Sequence, residues 1–318
     1  MRPSSFAVLA LLAVLAAALA AAPARAQQAP DTTFDVTIAR PAWEAGTGPR
    51  LVLDEAHHNF HTLSGRYRPF GDLARHDGLR VAAGGAPFTR ESLAACDLLV
   101  ISNALGSEDM GDSTAERSAF TDAEIGAVVA WVEAGGSLLL IADHAPMGSA
   151  ASVLGRALGV DMRCAYTQDP VQGAKGQPSQ VAYTPGAGLD TASAIVRGRA
   201  GDPPVRRVVT YTGQSLAGPP GATQLLTLSD QAFDAMVSIQ ETHLIAKLPP
   251  ERRKPAGGRA QGLAFERGRG RVVVMGEAAM LTAQVVGGSG GFKFGMNAPG
   301  NDDRQFAINV LRWLGRKL

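Results

Sequence analysis

The stretch Ser137-Leu138-Leu139-Leu140-Ile141-Ala142-Asp143-His144-Ala145-Pro146 decides the reading of the fold. From Ser137 to Ala142 it is a continuous apolar run, as expected of a strand covered on both faces. Similar runs stand at Leu51 to Leu53, Leu98 to Ser102 and Arg271 to Met275. Helical segments separate them, and that alternation predicts βαβ units around a mainly parallel sheet.

The helices are marked by their ends. Thr121 with Glu124 three residues on forms a capping box, Val128, Val129 and Val132 carry the helix, and Gly135-Gly136 stops it before the Ser137 strand. A helix from about Ala150 to Leu158 ends at Gly159, and another from near Pro69 ends at Gly78. The last opens around Asn301 and Asp302. It places Phe306, Val310 and Leu314 on one face with Trp313 beside them, so it is expected to dock on the sheet. Between about Cys164 and Ala260, prolines and glycines are scattered among short β-like pieces such as Val208 to Thr212 and Gln224 to Leu228, which predicts a β-rich insertion.

In an open parallel sheet, ligands bind outside the carboxyl ends of the strands. The first strand is followed by Asp54-Glu55-Ala56-His57-His58-Asn59-Phe60-His61, the second by Asn103, the third by Asp143-His144 and the last by Glu277. Four of the 6 histidines therefore fall in two loops of one expected rim. We expect His144 as a general base, oriented or balanced by Asp143 or Glu277, with His57, His58, His61, Asn103 and Asn297 as binding groups for a small polar ligand. His57, His61, His144 and Asp143 could instead hold a divalent metal, since imidazole and carboxylate suit such ions. The same side chains could also simply hydrogen-bond loop backbone. The whole expectation requires the first and third strands to lie side by side and point the same way.

Established motifs are few. The sequence has no His-Glu-x-x-His, no phosphate loop and no G-x-G-x-x-G after a strand, so no nucleotide cofactor is expected. Gly287-Gly288-Ser289-Gly290-Gly291 fits G-x-S-x-G in letters only, being a glycine-rich loop without a strand-to-helix elbow.

Residues 1–26 have the three parts of a secretory signal: Arg2, an apolar run from Phe6 to Ala22, and the triplet Ala24-Arg25-Ala26. Residues 27–318 are then expected to act in the periplasm or outside the cell, without membrane insertion. Removing Arg2 and Arg25 from 30 basic residues leaves 28 against 29 acids, a net charge of about −1. Such a chain offers no electrostatic footprint for nucleic acid or anionic lipid. Cys96 and Cys164, the only cysteines, could form one disulfide or remain two buried thiols.

The apolar strand Leu138 to Ala142 and its sharp turn resemble the class I glutamine-amidotransferase-like superfamily. More narrowly, Asp54 to Thr62, Ala142 to Pro146, Gly276-Glu277-Ala278-Ala279-Met280 and Gly295-Met296-Asn297 resemble an uncharacterised bacterial branch of it. The resemblance implies a three-layer flavodoxin-like sandwich, and no activity. True amidotransferases of this fold place a cysteine nucleophile at the turn where Asp143-His144 stands here, so glutaminase chemistry is not expected. A hydrolase acting on a carbohydrate or peptide fragment and a non-catalytic module that binds a glycan or protein are the two functional readings.

Overall fold

Leu98–Ser102 and Ser137–Ile141 are buried at every position, as their apolar runs require, and pair in parallel. Gly270–Met275 joins Ser137–Ile141 on one side, and Arg50–Asp54 joins Leu98–Ser102 on the other, both parallel. A fifth parallel strand, Arg80–Gly84, closes that edge beside Arg50–Asp54. The sequence reading missed this strand because Arg-Val-Ala-Ala-Gly has no apolar run, and an edge strand exposed along its length needs none. Numbered along the chain, the five strands stand in the order 2-1-3-4-5. The computed structural model from which this is read describes residues 28–287 and 291–318. The leader at residues 1–26 and the centre of the Gly287–Gly291 string lie outside the described residues.

Successive side chains of a strand point to opposite faces, and each face has its own helices. Leu98, Val100, Leu139, Ile141, Val273 and Met275 pack with Phe70 and Leu73 of helix Arg68–His76 and with Phe306, Val310 and Leu314 of helix Asp303–Leu314. Leu99, Ile101, Leu138, Leu140, Val272 and Val274 pack with Val128 and Val132 of helix Asp122–Glu133 and Leu154 of helix Met147–Ala157. Both predicted capping-box contacts are present at Thr121 and Glu124. The helix expected near Ala150 begins at Met147, directly after the turn at Pro146.

The segment between Cys164 and Ala260 does not stand apart from this core. Its strands Gln177–Pro185, Val208–Thr210 and Thr223–Thr227 extend the same sheet beyond Gly270–Met275 through Ala260–Arg267, and the result is an α/β fold on one large mixed sheet. That extension also covers the outer side of the last helix, where Asn309 donates to the Ile195 carbonyl at 2.8 Å. Cys96 and Cys164 are both free, and burial pushes the Cys96 thiol up to about 12. Among the described residues no helix is long and apolar enough to cross a membrane.

One geometric expectation needs correction. The first and third predicted strands are not neighbours, because Leu98–Ser102 lies between them. All three run the same way, however, and the register pairs Ser102 with Ile141 and Ile141 with Met275. The residues that follow each strand therefore still leave along one edge.

Candidate functional site

Asn103 and Asp143, each the residue or nearly the residue after its strand, lock two of those strand ends together. Asn103 leaves its strand at φ 49, a left-handed conformation that asparagine tolerates better than most residues. Its side chain then spans Asp143, with Nδ2 donating to Oδ2 at 2.7 Å and Oδ1 accepting the Asp143 N–H at 2.9 Å. The other Asp143 oxygen accepts the Ala278 N–H at 2.6 Å, which draws in the loop after Gly270–Met275. Glu277 in that loop accepts the N–H groups of Ala279 and Met280 at 2.7 and 2.8 Å.

The two carboxyls line one cleft of about 290 Å³ with His61, His144, Arg66 and Phe60. Met110 and Met147 add apolar surface, and a further wall comes from Tyr211, Thr212, Gln284 and Phe294. Backbone contact pins that wall to the floor. Gln214 N–H donates to the Gly276 carbonyl at 2.8 Å, and a Cβ on Gly213 would lie 2.3 Å from the same carbonyl oxygen, so only glycine fits.

Burial disfavours charge on both carboxyls. Burial first and the Asp143 charge second push Glu277 up to about 8. Asp143 is also raised by burial, although His144 and its bonds from Asn103 and Ala278 oppose this. The pair thus holds a proton near neutrality, and burial beside the Asp143 charge puts it on Glu277.

The two cleft histidines differ. His144 stacks on Tyr166 with ring centroids 4.1 Å apart, and its Nδ1 meets the Ala145 carbonyl oxygen at 2.7 Å. That contact makes Nδ1 a protonated nitrogen and leaves Nε2 as the one free to exchange a proton. His61 is buried against Tyr67 with centroids 4.6 Å apart. Burial, with the Arg66 charge behind it, pushes its imidazole down to about 3, so it enters chemistry only as a neutral ring.

His57, His58 and Asn297 do not join them. His57 is buried between Phe88 and Phe120, outside the cleft lining. Its Nδ1 meets Asp54 at 2.9 Å and its Nε2 meets Glu124 at 2.9 Å. Two ionised carboxylates can only accept, so this imidazole holds both protons and is a structural cation. His58 is exposed on a left-handed turn at φ 49. Asn297 donates to Asp31 and the Gln284 carbonyl at 2.9 and 3.0 Å, which braces the hairpin of Ala283–Val286 and Phe292–Gly295 behind the cleft wall.

The metal expectation is corrected by the same contacts. His57 has both nitrogens engaged away from the cleft, and both Asp143 oxygens already accept donors. Among the described residues no group of three or more His, Cys, Asp or Glu is arranged to hold an ion.

Sequence reasoning missed Arg66, Tyr211, Gln284 and Phe294. Arg66 lies in the extension of the first loop, five residues past His61, and could have been found by following that loop to its helix. The other three come from the insertion and the late hairpin, and no local pattern announces them.

No family model matches this chain, and no curated protein matches it either. Among solved structures the chain is similar to the mmIFT52 N-terminal domain, with a TM-score of 0.56 and 14% identity over 83% of this chain and 96% of that one. It is also similar to a ThuA-like protein from Bacteroides uniformis, with a TM-score of 0.44 and 12% identity over 89% of this chain and 95% of that one. A cytoplasmic protein from Salmonella typhimurium gives a TM-score of 0.47 and 12% identity over 84% and 98%. At these identities the first similarity is one of fold alone.

Proposed function

We propose that the cleft performs acid–base chemistry on a small polar substrate, as a hydrolase-like enzyme exported by the leader at residues 1–26. The observation that carries this reading is the buried Asp143–Glu277 pair beside His144 in a single small cleft. In this reading His144 Nε2 takes a proton from the attacking water, and Asp143 balances the imidazolium that forms. Glu277, still protonated near neutrality, gives its proton to the leaving group. Asn103 and the Ala278 N–H keep Asp143 in place through this cycle. We place the fold with the three-layer flavodoxin-like sandwiches of the class I glutamine-amidotransferase-like superfamily, in a bacterial branch with Asp143-His144 at the elbow. The 2-1-3-4-5 strand order and the helices on both sheet faces support that placement. On the charge balance of residues 27–318, neither nucleic acid nor a bilayer is a partner.

A screen of chromogenic glycosides, esters and peptides at pH 5 to 9 tests the enzymatic reading. Turnover should appear in wild type and fall about 100-fold or more in His144→Ala and Glu277→Gln, the scale of a lost general acid or base. A second reading, a non-catalytic module binding a glycan or protein, is favoured by the internal partners that both carboxyls already have. It would be adopted if no substrate turned over while ligands still raised the melting temperature.

A further inference from the structure

Arg66 lacks the partners that other half-buried arginines of this chain have, Arg304 among them, which donates to the Asp35 and Thr37 carbonyls. Arg163, Arg199, Arg259 and Arg271 each have an aspartate or glutamate within ion-pair distance. Arg66 lies with its guanidinium 4.3 Å above the Phe60 ring centroid, on the cleft lining, and among the described residues no carboxylate sits at that distance. Burial depresses its basicity with no acid to offset it. A cation over an aromatic face recovers only part of its lost hydration, and among the described residues the N–H donors of this planar fork have no hydrogen-bond acceptor.

A second unmet group lines the same cleft. Gln284 is 1% exposed, and its Nε2 donates to Thr282 Oγ1 at 2.7 Å. Its Oε1 has no hydrogen-bond partner among the described residues. A buried amide oxygen without a donor is costly, and this one lines the same cleft. Phe60, Tyr211 and Phe294 supply aromatic surface between these polar groups, and the cleft volume is near the lower end for small-molecule sites, about 300 Å³.

We propose that the cleft takes a small hydroxylated carboxylate of the sugar-acid class, with its carboxylate on the Arg66 guanidinium and one hydroxyl donating to Gln284 Oε1. This deepens the acid–base reading and rests on it only in using the same cleft. The anion meets a fork suited to two parallel N–H donors, whereas a neutral sugar would leave the guanidinium unpaired. Discrimination therefore comes from Arg66 and orientation from Gln284.

The test is calorimetric titration of the full chain with D-glucuronate and with D-glucose, in wild type, Arg66→Gln and Arg66→Lys. Among the described residues Arg66 has no hydrogen-bonded partner to lose, only its contact with the Phe60 ring, and a melting curve on each variant verifies that it is folded. Glucuronate should bind wild type at least about tenfold more tightly than glucose, weaken by about tenfold in Arg66→Gln, and recover in part in Arg66→Lys, which keeps the charge but not the fork. Equal binding of both sugars, unchanged in Arg66→Gln, would overturn the carboxylate assignment and leave the acid–base reading standing. Absence of binding by both would overturn it as well, and the hydrolysis screen would then decide the acid–base reading separately.

Discussion

Glu277 shows what a single buried carboxyl does to the molecule. Its proton affinity rises from 4.5 to about 8 in the folded chain. Protonation is equal in both states below pH 4.5, where its contribution to stability is complete, and that contribution is lost as pH rises through about 8. The melting temperature should therefore fall across this interval. Glu277→Gln removes the titration but gives up one of the two acceptors that face the Ala279 and Met280 N–H groups, so its melting temperature should start lower at pH 5 and fall by less than that of wild type between pH 5 and 9. Thermal melts at pH 5 and 9 measure this, and a variant whose melting temperature falls between the two values by as much as that of wild type would contradict the assigned protonation. His57, also raised, loses its contribution in the same direction, so some residual slope should persist in the variant.

At the scale of elements, helix Asp122–Glu133 is tied to the first loop by its own cap. Glu124 Oε2 accepts the Thr121 N–H at 2.9 Å, completing the capping box, while Oε1 accepts from His57 at 2.9 Å. One carboxylate thus joins a helix start to the segment that follows Arg50–Asp54. Thr121→Ala should cost about 1 kcal/mol, the value of an ordinary cap. Glu124→Gln should cost about 3 kcal/mol, because it also strips a buried imidazolium of one counter-charge. The sign of the pH dependence follows from the two partners. Glu124, lowered to about 2, stabilises above pH 4.5 and ceases to as pH falls through 2, whereas His57 stabilises below pH 6.5 and ceases to as pH rises through its raised value. Urea denaturation at pH 5.5 should show the full difference, and at pH 2 most of it should be gone.

Across the whole molecule, Arg312 does for the far end what Asp143 does for the cleft. It is 1% exposed on the last helix. It donates to Asp77 at 2.6 and 2.7 Å, where helix Arg68–His76 ends, and to Asp202 of the insertion at 2.6 Å. Arg312→Met leaves the buried Asp77 without its cation, while Asp202 keeps Arg199 and Arg40, and should lower stability by about 3 kcal/mol in denaturant titration. Arg312→Lys should recover only part, since an ammonium cannot reproduce the fork. None of these residues lines the cleft, so glucuronate binding should be unchanged in Arg312→Lys.

The sequence by itself determined four strands of the sheet, the four long helices, the Thr121 cap, and the rim on which Asn103, Asp143, His144 and Glu277 stand. Apolar runs, glycine stops and a capping box are local physics, and each is written within a few residues. Tertiary structure alone decided which rim residues converge. His57 and His61 are four residues apart in one loop, yet one is clamped by Asp54 and Glu124 and the other faces the cleft. The carboxylate that captures His57 is 67 residues away along the chain. Tyr211, Gln284 and Phe294 reach the cleft because the insertion extends the sheet and the late hairpin folds back over its edge. Such long-range pairing depends on the shape of the whole sheet, which no short stretch of residues encodes.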